Sequence, residues 1–386
     1  MVLPIDELSG GETSHECAWS LSDETRFTTA GRPYALDVAD FDRDGVVDVA
    51  LAENDSAADV DYATTEVQLG KGGRKFESWY VASKNSAPGG SMVTRGIAVG
   101  DVDKDGIPDA VQTFGSYATD DGSVDLNLGL DNGRLDWNGI WTVAEPDDAA
   151  VGDFDGDGWL DAVVVALTDQ QGYADEKLFL LWGDGKGSFE LPKEYLPADV
   201  FTKTIREVSV ADLNADGRTD IVLTSWGDGT LHVLLGTQDR GLSHRAEVQV
   251  GSAPWGLAAR DFDADGKLDV ACVNENDFTV SLLFGTGDGE LVRETPITVG
   301  KGLQHLVATD LEGDGDADLV LGGEKQIVTL RNRGDGTFET PVSHPFDGTA
   351  SRFAARDLDA DGTADLVLSN LGRESFSVFW GSCQAR

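Results

Sequence analysis

One acidic nine-residue pattern, Asp-x-(Asp/Asn/Glu)-x-Asp-Gly-x-x-Asp, occurs seven times in the chain. Each copy places oxygen-bearing side chains at positions 1, 3, 5 and 9, and a glycine at position 6, where a turn without a Cβ is favoured. Carboxylates this close together repel one another unless a divalent cation lies among them. The pattern therefore predicts a metal-binding loop at 40–48, 101–109, 153–161, 212–220, 261–269, 310–318 and 357–365.

Calcium is the cation that this donor set fits. It accepts about six to eight oxygen ligands, commonly including a backbone carbonyl, whereas magnesium gives up water reluctantly. Zinc prefers His or Cys, which no loop contains. The last acid stands at position 9 instead of 12 and the flanks are not helical, so the loops are not EF-hands. We predict up to seven calcium ions, with the carbonyl of position 7 joining the side chains, at Asp40, Asp42, Asp44, Val46, Asp48, Asp101, Asp103, Asp105, Ile107, Asp109, Asp153, Asp155, Asp157, Trp159, Asp161, Asp212, Asn214, Asp216, Arg218, Asp220, Asp261, Asp263, Asp265, Lys267, Asp269, Asp310, Glu312, Asp314, Asp316, Asp318, Asp357, Asp359, Asp361, Thr363 and Asp365.

Two loops depart from the common pattern. A single copy could be an Asp/Gly-rich surface turn, but seven copies in one local setting exclude coincidence. Asn214 removes a charge from the fourth loop while keeping an oxygen donor. Glu312 replaces an aspartate in the sixth loop, and Asp316 adds an acid there. We expect the sixth site to differ most in affinity.

The repeat also predicts the architecture. Successive first acids are 61, 52, 59, 49, 49 and 47 residues apart, a period typical of arrays and propellers. An alternating apolar run such as Gly96–Gly100 precedes each loop, and a β-rich run such as Asp161–Val165 follows it. A third run, such as Leu178–Trp182, and a Gly-rich turn lead to a fourth strand. Seven such sheets packed around an axis make an all-β, seven-bladed propeller of four-stranded antiparallel blades.

The two ends of the chain complete the predicted ring. The last repeat stops at 379–381, where a third strand should end, so its blade lacks an outer strand. Phe27–Ala30 stands in the corresponding register before the first loop, and we predict that it supplies this strand. Residues 1–25 are interpreted as a partly disordered leader, and 26–386 as a single propeller domain.

The loops and hairpin turns together resemble FG-GAP, or VCBS-type, repeats over roughly residues 26–381. Such repeats occur in integrin α-subunit propellers, in certain fungal lectins and in many secreted bacterial proteins. The resemblance implies a calcium-stabilised extracellular module for adhesion or recognition that binds a protein or a glycan. The evenly repeated aromatic sugar pockets of the fungal lectins are not apparent in this sequence.

The net charge of −41 belongs mostly to the loops. They hold 28 acids and four bases, a net −24. The remainder argues against nucleic acid and anionic membranes as partners, since both would be repelled. No apolar run is long enough to span a bilayer, so we expect no membrane insertion. We also expect the protein to be a monomer. Because cytosolic calcium is too scarce to fill modest sites, we expect a secreted or cell-surface protein whose signal peptide is not part of this sequence.

The chain contains three cysteines. Cys17 and Cys383 flank the two ends that ring closure would bring together, and whether they form a disulfide stays open at this point. Cys272, in the strand after the fifth loop, is interpreted as a small buried apolar residue.

We find no catalytic motif in the sequence. The five histidines occupy unlike positions of different repeats, and no zinc-protease helix or nucleophile elbow is present. The Arg333-Gly334-Asp335 tripeptide resembles an adhesion signal, but its place in a repeating Gly-Asp-Gly turn favours a structural role. Acidic pairs abound, so a glycosidase pair stays open, although metal ligation explains most of them.

Ligand binding is predicted on the face opposite the acidic loops, where the early repeats have their longest connections. Aromatic residues beside acids would suit a sugar or a basic protein patch, and the alternative is local packing in solvated loops. The candidate ligand residues are Tyr62, Tyr117, Tyr173, Trp226 and Trp255. Two functions stay open: a non-enzymatic adhesion or recognition module, and a polysaccharide-active enzyme or its accessory carbohydrate-binding domain.

Overall fold

A computed structural model describes residues 17–55, 62–85, 92–116, 122–166, 177–195 and 205–385. Within these ranges the chain forms strands and turns and contains no helix. The strands are β1 (Cys17–Leu21), β2 (Thr25–Thr28), β3 (Arg32–Ala39), β4 (Asp48–Asp55), β5 (Tyr62–Gly70), β6 (Phe76–Asn85), β7 (Met92–Gly100), β8 (Asp109–Ser116), β9 (Gly122–Leu130), β10 (Arg134–Thr142), β11 (Pro146–Gly152), β12 (Asp161–Ala166), β13 (Lys177–Leu181), β14 (Lys193–Tyr195), β15 (Ile205–Ala211), β16 (Asp220–Ser225), β17 (Thr230–Thr237), β18 (Gly241–Gln249), β19 (Pro254–Arg260), β20 (Asp269–Asn274), β21 (Thr279–Gly285), β22 (Leu291–Arg293), β23 (Ile297–Thr298), β24 (Leu303–Thr309), β25 (Asp318–Leu330), β26 (Val342–Arg356), β27 (Asp365–Asn370), β28 (Ser375–Phe379) and β29 (Gly381–Ala385).

The strands build a β-propeller of antiparallel blades. Four blades have four strands each, in the orders β3-β4-β5-β6, β7-β8-β9-β10, β11-β12-β13-β14 and β15-β16-β17-β18. A fifth follows the order β19-β20-β21-β22, with the short β23 also paired to β21. In each of these blades an acidic loop joins the first strand to the second. The predicted strand-loop-strand unit is confirmed.

The first strand of each repeat lies innermost. β3 contacts β7, and contacts continue through β11, β15, β19, β24 and β26, which contacts β3 again. The apolar core is divided among the interfaces between blades; one cluster, for example, packs Val163 and Leu180 of one blade against Val210 and Ile221 of the next. The sheets therefore bury their faces against their neighbours around a closed ring.

The prediction of seven separate sheets is corrected by the hydrogen bonding. Apart from the β1–β29 pair, the described strands form six sheets, because β2-β28-β27-β26-β25-β24 is one six-stranded sheet that contains both the sixth and the seventh loop. β26 runs without interruption from the last strand of one repeat into the first strand of the next. Within β26 the repeats meet between Pro345 and Thr349, where its pairing with β25 shifts register.

The chain ends pair with each other, as the closure argument requires. β2 pairs with β28, with Phe27 opposite Phe376, which confirms that an N-terminal strand completes the last sheet. The pairing of β1 with β29, which places Trp19 opposite Cys383, was not predicted. Cys383 is disulfide-bonded, while the side chain of Cys17 lies outside the described residues. Cys272 is free and buried, as predicted.

Across the described ranges, no helical segment meets the length and hydropathy that a bilayer crossing requires.

Candidate functional site

Two backbone positions give every acidic loop its shape. The glycine at position 6 has φ between 81° and 94° in all seven loops. Position 4 is also left-handed, with φ between 55° and 76°, although five loops carry Arg, Lys or Ala there. Left-handed residues reverse the chain within a few bonds. The loop therefore wraps so that its alternate acids face one another.

Side-chain to backbone hydrogen bonds hold this wrapped conformation. In all seven loops one oxygen of the first aspartate accepts the N–H of the position 6 glycine at 2.8–2.9 Å. One oxygen of the position 5 aspartate accepts the N–H of position 7 at 2.7–3.0 Å. Each of these hydrogen bonds uses one oxygen of the carboxylate at position 1 or position 5. The second oxygen of that carboxylate takes no part in them.

The acid at position 9 has a second role that the sequence did not predict. Its Oδ2 accepts the N–H of position 2 at 2.6–3.0 Å. Its Oδ1 accepts an N–H at or just after the end of the third strand at 2.7–2.9 Å. The carboxylate thus joins the loop to the neighbouring strand. Burial raises the pKa of Asp48, Asp109, Asp161, Asp220 and Asp365 to about 7, that of Asp269 to about 6 and that of Asp318 to about 8.

The donor sets fit a hard divalent cation. In five loops three carboxylate groups offer oxygens that all lie within 4.8 Å of one another. The Oδ1 atoms of Asp101, Asp261 and Asp359 are buried and accept no hydrogen bond. A buried acceptor without a donor is costly, and a cation among oxygens at this spacing satisfies it. The five groups are Asp40/Asp42/Asp48, Asp101/Asp103/Asp109, Asp153/Asp155/Asp161, Asp261/Asp263/Asp265 and Asp357/Asp359/Asp361.

The two variant loops are the ones without such a group among the described residues. In the fourth loop the Asn214 amide donates to Asp216 at 3.1 Å, and Arg218 forms an ion pair with the same carboxylate. In the sixth loop Glu312 lies 3.6 Å from the Arg331 guanidinium. Both loops therefore neutralise part of their own charge with protein groups.

Basic side chains from the following blade reach two further loops. Arg240, in the hairpin after β17, places its guanidinium 3.0 Å from Asp155 and 3.4 Å from Asp157 of the third loop. Arg74, in the hairpin after β5, lies 2.7 Å from Asp359 of the seventh loop. The negative charge of these candidate metal ligands is therefore partly neutralised by arginines from a neighbouring blade.

A second cluster of functional groups lies at the other end of the inner strands. Each of the seven inner strands has a register shift against its partner, five or six residues before its loop. Such β-bulges re-aim side chains and are common beside functional sites. We call the residue six positions before each loop the bulge residue. The bulge residues are Tyr34, Arg95, Asp147, Arg206, Trp255, Gln304 and Ser351.

Bulge residues of adjacent blades contact one another around the ring. Arg95 lies 3.8 Å from Asp147, and the Ser351 hydroxyl donates to the backbone carbonyl of Tyr34 at 2.7 Å. The Cζ of Arg206 lies 5.0 Å from the centroid of the Trp255 ring. Three adjacent pairs of bulge residues are thus in contact, and because the inner strands form a closed circle, the seven bulges lie in a belt around the axis, which we call the axial belt.

The residues that follow the bulge residues connect blades across the ring. Arg352 lies 2.8 Å from Glu207 and 3.3 Å from Asp148, which belong to other blades. His305 Nδ1 is 4.0 Å from Glu207. Burial raises the pKa of Glu207 to about 7, against the opposing effect of Arg352. Burial lowers the pKa of His305 to about 3, so this imidazole is neutral at physiological pH.

Two of the predicted ligand residues belong to this axial cluster. The Arg206 guanidinium lies over the Trp226 ring at 5.6 Å and over the Trp255 ring at 5.0 Å. Trp255 also packs edge-on against His305, with 6.3 Å between ring centroids. Because Trp226 follows the end of β16 and the others lie near the starts of inner strands, the cluster faces away from the acidic loops. Tyr117 and Tyr173 lie outside the described residues, as does the side chain of Tyr62.

A family model described as an FG-GAP-like repeat matches residues 153–223, 212–272, 261–321 and 310–368. Together the matches run from 153 to 368, more than half of the 386-residue chain. The chain belongs to the FG-GAP-like repeat family. Every match begins at the first aspartate of an acidic loop. The resemblance of this FG-GAP-like protein to integrin α-subunits and VCBS proteins stays a prediction.

Solved structures share the fold of this FG-GAP-like protein at low sequence identity. A periplasmic gluconolactonase of Pseudomonas aeruginosa has a TM-score of 0.59 at 15% identity, covering 82% of this chain and 87% of the other. BBS1N, solved in complex with ARL6DN, has a TM-score of 0.56 at 12% identity, covering 94% and 96%.

A lectin from Agrocybe aegerita, described as recognising non-reducing terminal N-acetylglucosamine, has a TM-score of 0.53 at 17% identity, covering 83% and 79%. A search of curated proteins returned no match.

The axial residues Arg206, Glu207, His305 and Arg352 of this FG-GAP-like protein were missed in the sequence analysis. Their position in the repeat could have identified them, because each stands five or six residues before a loop, where the pattern predicts an apolar inner strand. Polar and charged residues at that offset in several repeats are out of place in a buried strand. Aligning the repeats on their loops would have shown these polar residues at a common offset, although not the bulges that bring them together.

Proposed function

We propose that this protein is a calcium-stabilised recognition module that binds a glycan or a protein on the face opposite its acidic loops. Calcium would be held by the loop acids, where it offsets the repulsion among carboxylates and fixes the ends of the inner strands. The convergent carboxylates and the buried Oδ1 atoms without donors support this role. The fold family is compatible with it.

We count the ring as seven blades. Seven loops, a closed circle of seven inner strands and seven equivalent bulges support this number. The six-stranded sheet then represents the sixth and seventh blades, joined by β26 and completed by β2. Residues 26–386 would act as one domain.

The observation that carries the recognition function is the Arg206 guanidinium lying over Trp226 and Trp255. Arginine and tryptophan dominate the energetics of many interfaces, and aromatic faces suit the apolar face of a sugar ring. A structural lectin neighbour and a neighbour solved with a protein partner make both ligand classes reasonable.

Binding to a glycan array and to a panel of secreted proteins tests this function. We expect calcium-dependent binding that Trp255→Ala reduces at least tenfold. Trp137→Ala is the matched control, because Trp137 is 51% exposed on an outer strand away from the axis. Equal loss in both variants, or undiminished binding by Trp255→Ala, would contradict the proposal.

A polysaccharide-active enzyme is the second candidate, and one observation favours it. Glu207 is a carboxyl group whose pKa burial raises to about 7, and it lies 4.0 Å from His305, which packs against Trp255. Such a group can exchange a proton near neutral pH. Turnover of a polysaccharide that Glu207→Gln abolishes while binding persists would establish the enzyme. Binding without turnover would favour the recognition module.

We also propose a secreted or cell-surface location, because loops of this kind need extracellular calcium to stay filled. The net charge of −41 disfavours nucleic acid as a partner. A monomer remains our expectation.

A further inference from the structure

The bulge residues and the residues that follow them include three arginines, Arg95, Arg206 and Arg352, and their partners differ. Arg352 is paired with Glu207 and Asp148, and Arg95 lies near Asp147. Arg206 has no carboxylate within ion-pair distance among the described residues. Its contacts are instead with the faces of two tryptophans. An arginine stacked in this way keeps the donors along its edge available for an oxygen ligand.

The surroundings of Arg206 contain further donors that lack acceptors. The Nε of Arg206 and the indole Nε1 of Trp226 are buried and make no hydrogen bond within the described residues. A buried donor left unsatisfied costs about 1–3 kcal/mol, and such groups call for an explanation such as a ligand. Both atoms belong to side chains in contact with each other. Both atoms are enclosed by neighbouring side chains, whereas the Nη atoms of Arg206 are not among the enclosed atoms and are the donors that a ligand can reach.

We infer that the mouth of the axial belt is a recognition site for a saccharide that ends in an acidic sugar residue, with its carboxylate on Arg206. This inference rests on the proposed recognition function and names the ligand of that site. A carboxylate offers two acceptor oxygens in the planar geometry that a guanidinium edge matches. The tryptophans beside it contact the sugar ring.

The charge of the whole molecule limits how acidic the ligand can be. At a net charge of −41 the protein repels polyanions and strongly acidic protein surfaces. An oligosaccharide whose only charge is one terminal carboxylate brings a single negative charge to Arg206, the one of these three arginines that has no carboxylate within ion-pair distance among the described residues. The site therefore favours an acidic chain end over an acidic polymer.

The experiment compares two oligosaccharides that differ only in their terminal residue, glucuronic acid or glucose, by calorimetry in calcium. We expect the acidic ligand to bind at least tenfold more tightly. Arg206→Gln should remove the preference, and Arg206→Lys should retain part of it. Arg245→Gln is the control, because Arg245 is also on the fourth blade but pairs with Asp288 away from the axis. Its preference should equal that of the wild type.

Each other result has a defined meaning. Equal affinity for the two sugars, or a preference that survives Arg206→Gln, overturns the inference while leaving glycan recognition in place. Binding of an acidic peptide but of neither sugar, with loss in Arg206→Gln, overturns the saccharide and supports a protein partner. A melting temperature of Arg206→Gln within a few degrees of the wild type shows that lost binding does not reflect unfolding.

Discussion

At the scale of single residues, acids of the same loop differ in burial and in the hydrogen bonds that they accept. Asp44 at position 5 is exposed and accepts one N–H, from Val46 at 2.8 Å. Asp48 at position 9 is fully buried and accepts two, from Phe41 and Gly70 at 2.7 Å each. The nine-residue pattern presents the two acids alike. In the structure Asp48 joins Asp40 and Asp42 in the convergent group and also ties the loop to the sheet, whereas Asp44 only accepts a hydrogen bond within the loop.

This difference predicts unequal effects of the same substitution. Asp48→Asn turns one acceptor oxygen into a donor and leaves a buried N–H unpaired, which should cost about 2 kcal/mol even without metal. Asp44→Asn keeps the acceptor that Val46 needs and should change metal-free stability by less than about 0.5 kcal/mol. Chemical denaturation in chelator measures both. Equal stabilities would show that position 9 serves the metal alone.

The loops were predictable from the sequence because their requirements are chemical and local. Position 6 needs glycine at φ above 80°, and the acids at positions 1, 3 and 5 recur in fixed order. The axial belt was not, since its residues share an offset and a backbone irregularity but no side-chain type, as Tyr34, Asp147 and Trp255 illustrate. A bulge is a property of strand pairing, which a single strand's sequence does not reveal.

At the scale of elements, neighbouring blades contribute to each other's loops. The hairpin that carries Arg240 belongs to the fourth blade, yet its guanidinium lies beside Asp155 and Asp157 of the third loop. A cation in that position competes with a metal ion for the same oxygens. The affinity of a loop is therefore set partly by the blade that follows it.

Removing this competition should strengthen one site. We expect Arg240→Gln to raise the calcium affinity of the third loop several-fold, while the metal-free protein loses some stability. Calcium titration by calorimetry measures the change, and Arg245→Gln is the control because Arg245 pairs with Asp288 and Glu290, outside the acidic loops. A lower affinity in Arg240→Gln would show that Arg240 positions the ligands instead.

Ring closure depends on the short strand β2. Phe27 packs against Phe76 and Phe376, with 5.1 Å between its ring centroid and each of theirs. Because Phe27 is half-buried, Phe27→Ala should lower the free energy of unfolding by about 2 kcal/mol. Thr28→Ala, on the exposed face of the same strand, should have little effect. Similar losses in the two variants would assign the effect to the strand backbone.

The sequence predicted this strand correctly but could not predict how repeats six and seven join. Their boundary lies inside β26 between Pro345 and Thr349, where the pairing with β25 shifts register. Pro345 and Gly348 predict a break in this segment, yet the strand continues through them. The repeat pattern marks loops, and continuity of a strand between loops depends on tertiary packing.

At the scale of the whole molecule, charge and metal set the stability. Burial raises the pKa of position 9 acids such as Asp161 and Asp220 to about 7, from an ordinary value of 3.8. Between these values the folded metal-free protein binds more protons than the unfolded chain, so its stability falls as pH rises. Calcium held by these acids would require their deprotonated form and would oppose this trend.

The two conditions should therefore respond oppositely to pH. We expect the metal-free protein to melt at a lower temperature at pH 7.5 than at pH 5.5. With millimolar calcium the order should reverse, since ligand bound only to the folded state stabilises it by RT ln(1 + [L]/Kd) at each site. Calorimetric scans at both pH values provide the test. A metal-free melting temperature that rises with pH would contradict the roles given to these acids.

One strand connects the candidate ligand site at the axis with a candidate metal-binding loop. β15 carries Arg206 near its start and runs directly into Asp212, the first acid of the fourth loop. Six residues of extended backbone, roughly 20 Å, separate the tryptophan-stacked cation from Asp212, the nearest candidate metal ligand. We expect that ordering one end of this strand also orders the other. If the fourth loop binds calcium, we expect that filling it would order this strand and raise the affinity for a ligand at Arg206, so the calcium concentration would control recognition.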